Sequence, residues 1–94
     1  MSKINKKDLD VLINVDRKMT REQYFNFLLG EITSHVEKLK KLKEKEDRPG
    51  HFKEEVCDMY LLARLLFESE KVNQKELDHA SRHFADKVKE IYKK

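Results

Sequence analysis

Ninety-four residues make room for one domain, spanning 1–94, and 41% charged against 38% hydrophobic residues leaves material for only a thin core. Two glycines, one proline and no tryptophan exclude a P-loop, a dinucleotide fingerprint, a nucleophile elbow and a hairpin-rich all-β fold, all of which consume glycine. Lone Cys57 excludes a disulfide framework and a cysteine-based zinc site and fits a reducing cytoplasm, no signal peptide or membrane span is visible, and a net charge of +3 is too mild to point to DNA or RNA.

Start signals divide the chain into four helical segments. Asn5 with Asp8 opens a short helix over 6–18, with Leu9, Leu12, Ile13 and Val15 as its apolar set. Thr20 and Gln23 form a capping box ahead of a long helix over 21–45. In it Phe25, Leu28, Leu29, Ile32, Val36 and Leu39 follow steps of 3, 1, 3, 4 and 3, which is one face of a helix. Gly30 interrupts this run at a cost of about 1 kcal/mol relative to alanine. Either a close helix contact or ligand approach requires it, or the helix tolerates it. Glu46-Asp47-Arg48-Pro49-Gly50 is the strong break, since proline disfavours helix before it and glycine permits the turn. A third helix covers 52–70. Asn73 and Glu76 form another capping box, and a fourth helix runs from 74 to the end with the stripe Leu77, Ala80, Phe84, Val88 and Ile91.

The third helix differs from the rest. From Met59 to Phe67 its apolar residues point in nearly every direction, and a helix apolar all round must be buried on all sides. Three other helices in so short a chain do not suffice to wrap it. The expected architecture is therefore an all-α, four-helix fold built on an antiparallel helical hairpin and completed by dimerisation.

The chemistry concentrates at the start of that helix, in Glu54-Glu55-Val56-Cys57-Asp58. Glu55 and Asp58, three apart, are neighbours on one helix surface and suit a hard divalent cation. Antiparallel pairing across the turn sets Asp58 opposite position 35 and Glu55 near 38. On the second helix Glu31 and His35 flank the buried stripe on the same edge, about 100° and 60° from Ile32. Glu31, His35, Glu55 and Asp58 are thus the candidate metal ligands.

A Glu-x-x-Asp that opens a buried helix after an acidic helix and a turn resembles the MazG-type all-α nucleoside triphosphate pyrophosphohydrolases. Members carry Glu-Glu-x-x-Glu on one helix and Glu-x-x-Asp on the next, and these bind Mg²⁺. The resemblance covers 24–70 and is strongest from His51 to Phe67, with Glu55 and Asp58 at the motif positions. The first motif departs from the pattern. In one register Glu31 is the first glutamate, Ile32 replaces the second and His35 the last; shifted by one, Gly30 and Ser34 take the outer positions. The first register keeps Glu31 and His35 on one edge. What the resemblance implies is conversion of a nucleoside triphosphate to monophosphate and pyrophosphate with Mg²⁺ or Mn²⁺ as cofactor. A nitrogen ligand at 35 moves the preference from Mg²⁺ toward Mn²⁺ or Zn²⁺. The alternative is a chain that keeps fold and dimer but has lost catalysis, acting as a protein- or nucleotide-binding module.

Other candidates have a plainer reading beside the functional one. His79, His83 and Asp86 share a helix face with metal-ligand spacing, as chance also produces. Cys57, beside Asp58, reads as a small buried filler. Lys38, Lys40, Lys41, Lys43 and Lys45 suit a solvated helix end or the holding of a phosphate tail. Tyr24 and Phe27 suit the core or stacking on a base.

Overall fold

A computed structural model of the chain describes residues 4–92, and every regular element among them is helical: α1 (Lys6–Asn14), a 3₁₀ turn (Val15–Lys18), α2 (Arg21–Glu44), α3 (His51–Ser69) and α4 (Gln74–Ile91). The expected first helix is therefore shorter than 6–18. Tighter winding closes α1 and carries Met19 onto the core. The side chains of Val15 and Asp16, and the last two residues of the expected fourth helix, lie outside the described residues.

The caps follow the sequence closely. The Asn5 side chain accepts from the Lys7 and Asp8 amides at 2.9 and 3.4 Å. Thr20–Gln23 and Asn73–Glu76 close as reciprocal boxes, each satisfying two amides that would otherwise lack partners at a helix start. At α3 the cap residue is Gly50, at φ 85°, a left-handed conformation in which other residues are strained. It has no side chain to cap with, and Glu46 reaches forward instead to accept from the Phe52 amide at 2.7 Å. Arg48 adds a two-pronged pair to Glu54 at 3.0 and 2.7 Å. The guanidinium holds the Glu54 carboxyl below the usual range, and Glu54 in turn raises Arg48. The break therefore acts as a stapled corner that returns α3 antiparallel to α2.

The core is small. Tyr24, Leu28, Leu62 and Leu65 are buried, and Leu9, Leu12, Ile13, Met19, Ile32 and Leu66 pack around them. It is essentially the α2–α3 seam roofed by α1. Tyr24 belongs to it, while Phe27 stays partly exposed and stacks on the Tyr24 ring at 6.3 Å between centroids. The lysines at the end of α2 are exposed; Lys40 lies 3.5 Å from Glu37, and Lys43 sits over the Phe52 ring.

Outside the seam, apolar surface is bare. The all-round apolarity expected of the third helix resolves into two stripes on opposite faces. Leu62, Leu65 and Leu66 face α2, while Val56, Tyr60 and Ala63 are exposed, Tyr60 at 48%. Cys57 is exposed as well, a correction to its reading as a buried filler: its direction on the helix falls between the two stripes. α4 has no buried residue, and Phe84, centre of its stripe, is 67% exposed. Among the described residues, α4 packs substantially against no other helix. No helix there is long and apolar enough to cross a membrane.

Gly30 meets nothing. A Cβ built on it has no neighbour within 4 Å, so no close approach within the chain requires the glycine. Gly30→Ala is expected to raise stability by about 0.5–1 kcal/mol, measured as a higher urea midpoint; a lower midpoint would mean that something beyond this chain covers the site. Leu28, 0% exposed, sits at the centre of the seam, and Leu28→Ala should cost about 2–5 kcal/mol by the same assay.

Candidate metal centre

The corner and the seam together bring side chains from two helices to one point. The His35 ring on α2 faces α3, and its Nε2 lies 3.2 Å from Glu55 Oε2 and 3.4 Å from Asp58 Oδ2. One atom from each of the three residues falls within 4.8 Å of the others, the only such three-residue group among the described residues. The expected facing of helix two against Glu55 and Asp58 is thus present. Glu31 takes a different place: its side chain stands 3.8 Å from Nδ1, on the other side of the imidazole. Its backbone carbonyl accepts from Nδ1–H at 2.7 Å. His79, His83 and Asp86 are exposed on α4 and form no such group.

The Nδ1 contact decides the chemistry of the ring. A carbonyl oxygen only accepts, so the proton belongs on Nδ1, and Nε2 turns a lone pair toward two carboxylate oxygens. That juxtaposition needs a cation in it, either a proton on Nε2 or a metal ion. A metal-binding histidine generally has this same outer arrangement, its second nitrogen donating to a carbonyl. The 3.2 and 3.4 Å separations from Nε2 also fit. Adjacent ligands around a divalent ion lie about 3.0–3.4 Å apart when bonds are about 2.1 Å.

Glu55 supplies an independent sign. It is 6% exposed, the one buried charged residue among those described, and its Oε2 is buried without a hydrogen-bond partner. The 3.2 Å approach of His35 supplies no hydrogen bond to it. A buried acceptor left unmatched is costly, of the order of 1–3 kcal/mol. A cation at the three-residue group would answer it. His35, Glu55 and Asp58 therefore fit a divalent ion as one nitrogen and two oxygen ligands, with Asp58, 47% exposed, on the solvent side. Beside them lies a recess of about 150 Å³ lined by Leu12, Leu61, Leu62 and Leu65. It has room for a few waters.

The other oxygen of Glu55 has a partner that the metal-ligand reading passed over. His51 Nε2 lies 3.3 Å from Glu55 Oε1, while Nδ1–H donates to Asp47 Oδ1 at 2.6 Å. The signal was present in the spacing: Asp47, His51 and Glu55 are successive steps of four. Acceptors at both nitrogens favour the imidazolium. Hydrogen bonding to Asp47 above all holds His51 above the ordinary histidine value, and holds Asp47 below the carboxylate one.

Set against known families, curated proteins and solved structures, the chain matches no family model, no curated protein and no solved structure.

Two measurements bear on the centre. A raised histidine stabilises fully below its unfolded value of about 6.5 and loses that contribution as pH rises through its folded value. A lowered Asp47 stabilises above its unfolded value of about 3.8 and loses its contribution as pH falls through the folded one. The Asp47–His51 pair accordingly supports the corner most fully between about pH 4 and 6.5. In metal-free buffer the His51 ring should titrate above the ordinary value by NMR, and Asp47→Asn should bring its midpoint down; an unmoved midpoint would remove Asp47 as the cause. In Mn²⁺ titrations followed by electron paramagnetic resonance, binding should saturate. Glu55→Gln and His35→Ala should each weaken it about 10–100-fold or more, whereas His79→Ala should not change it.

Proposed function

We propose that this chain is a divalent-metal-dependent nucleoside triphosphate pyrophosphohydrolase of MazG-like type, converting a nucleoside triphosphate to monophosphate and pyrophosphate. The observation that carries the reading is the approach of His35 Nε2 to Glu55 and Asp58 across an antiparallel hairpin, where the resemblance calls for ligands. His35, Glu55 and Asp58 would hold Mg²⁺ or Mn²⁺, with the nitrogen favouring Mn²⁺. A bound divalent ion supplies neutralisation of phosphate oxygens and a more acidic water.

The chain's own residues do the arranging. Glu31 fixes the His35 tautomer through its backbone carbonyl, and its exposed carboxylate remains beside the ring as the first-motif glutamate. His51 anchors Glu55 by its free oxygen and thereby aims the other one at His35. Asp58 and the open side of the recess are where the triphosphate would arrive, while Leu12, Leu61, Leu62 and Leu65 keep water from the inner side. The reading includes a cytoplasmic homodimer: reducing conditions suit exposed Cys57, and a second copy would cover the bare stripes of α3 and α4.

Two features favour a second reading, a non-catalytic helical dimer that binds a protein or nucleotide. A proton on His35 would satisfy Glu55 and Asp58 without metal. The recess of about 150 Å³ is also below the about 300 Å³ at which small-molecule pockets begin.

Pyrophosphate release separates the two. With millimolar Mn²⁺ and a panel of nucleoside triphosphates, the enzyme reading expects pyrophosphate and monophosphate in equal amounts, lost by at least about 100-fold in Asp58→Asn. No release from any triphosphate, with no saturable metal binding, would leave the binding module.

A further inference from the structure

We infer that the homodimer forms by exchange of helices, α4 of each copy lying along the outer stripe of the other copy's α3. The inference rests on the dimer reading above and specifies its interface. Its starting point is the amount of surface left bare. A compact monomer of 11.3 kDa exposes about 5,700 Å², whereas this chain exposes 8361 Å². The excess, about 2,600 Å² per chain, is of the size an obligate dimer buries. Its Cα radius of gyration, 15.9 Å, likewise exceeds the about 12.4 Å of a compact chain this long.

Two apolar faces, on α3 and α4, contribute to the bare surface, and they match each other. On α3, Val56, Tyr60, Ala63 and Phe67 follow steps of 4, 3 and 4; on α4, Leu77, Ser81, Phe84, Val88 and Ile91 follow steps of 4, 3, 4 and 3. Both alternate steps of four and three, the spacing of helix seams that interlock side chains as knobs in holes. Each stripe is mostly large with one small member, Ala63 or Ser81, to receive a large one. A recess of about 530 Å³ between Tyr60, Ala63, Phe67, Val72 and Leu77 joins the α3 stripe to the root of α4.

The occupant is a second copy for three reasons. The chain's own α4 leaves its α3 unpaired, with Lys71 at φ 54° in the connection. From 74 to 94 the sequence bears six cationic and four anionic side chains, too slight an excess to recommend nucleic acid or an anionic lipid surface. A two-fold exchange, finally, covers both faces on both chains with one contact type.

Sedimentation equilibrium of the full chain should give a dimer, and Phe84→Glu and Tyr60→Glu should each weaken it about 30-fold or more. Neither substitution touches the α2–α3 core, and retained helicity by circular dichroism checks that. In a Cys57→Ser background, Ala63→Cys chains refolded with Ala80→Cys chains should yield a mixed cross-linked dimer with a short bis-maleimide. A monomer up to about 100 µM overturns both the dimer and the exchange. A stable dimer with no mixed cross-link, and with mass unchanged by Phe84→Glu, overturns the exchange alone. A chain carrying both cysteines that cross-links internally as a monomer shows α4 folding back on its own α3, which also overturns it.

Discussion

A carboxylate buried in a helix seam is the constraint around which this small protein is arranged. Glu55 carries it to 6% exposure, and burial of such a group is tolerated only where opposite charge and hydrogen bonds meet it. Two histidines approach it from different directions, and only one of them meets it with a hydrogen bond. His51, one turn back on α3, holds one oxygen and is itself held by Asp47 in the corner. His35, across the seam, faces the other. The corner, the pairing of α2 with α3, and the candidate metal group are therefore one connected system. A change in any of them is felt at Glu55.

The same residue marks where the core ends. Along the α2–α3 seam the apolar layer of Tyr24, Leu28, Leu62 and Leu65 gives way to His35, Glu55 and Asp58 on the corner side. The leucines that finish the core thus begin the wall of the recess. A charge there faces less water on one side than on the other, which strengthens its hold on any cation. Beyond the seam, little is packed. Outer α3 and all of α4 keep apolar side chains in the open, far more than a compact chain of this mass exposes.

Much of the local structure is legible in the residues. The capping boxes at Thr20 and Asn73 close as written because their partners lie within four residues. The facing of His35 with Glu55 and Asp58 is legible too, since a tight corner between two regular helices leaves the register little freedom. His51 and Asp47 are less legible, because Asp47 lies in the break before α3, where a step of four does not promise a shared face. The α4 stripe is legible as a stripe, but its exposure is not. Periodicity reports which residues share a face and is silent on whether anything stands opposite that face.

What the sequence by itself determined is four helices, the caps of three of them, the corner at 46–50 and the side on which the acidic residues fall, because these depend on chemistry within a turn or two of chain. The tertiary structure alone decided that Glu55 is buried and Asp58 half open, that His35 turns Nε2 to α3 while Glu31 stays behind the ring, and that only one of the two α3 stripes finds a partner within the chain. Burial and pairing are properties of what lies across a gap, and that depends on how the whole chain runs.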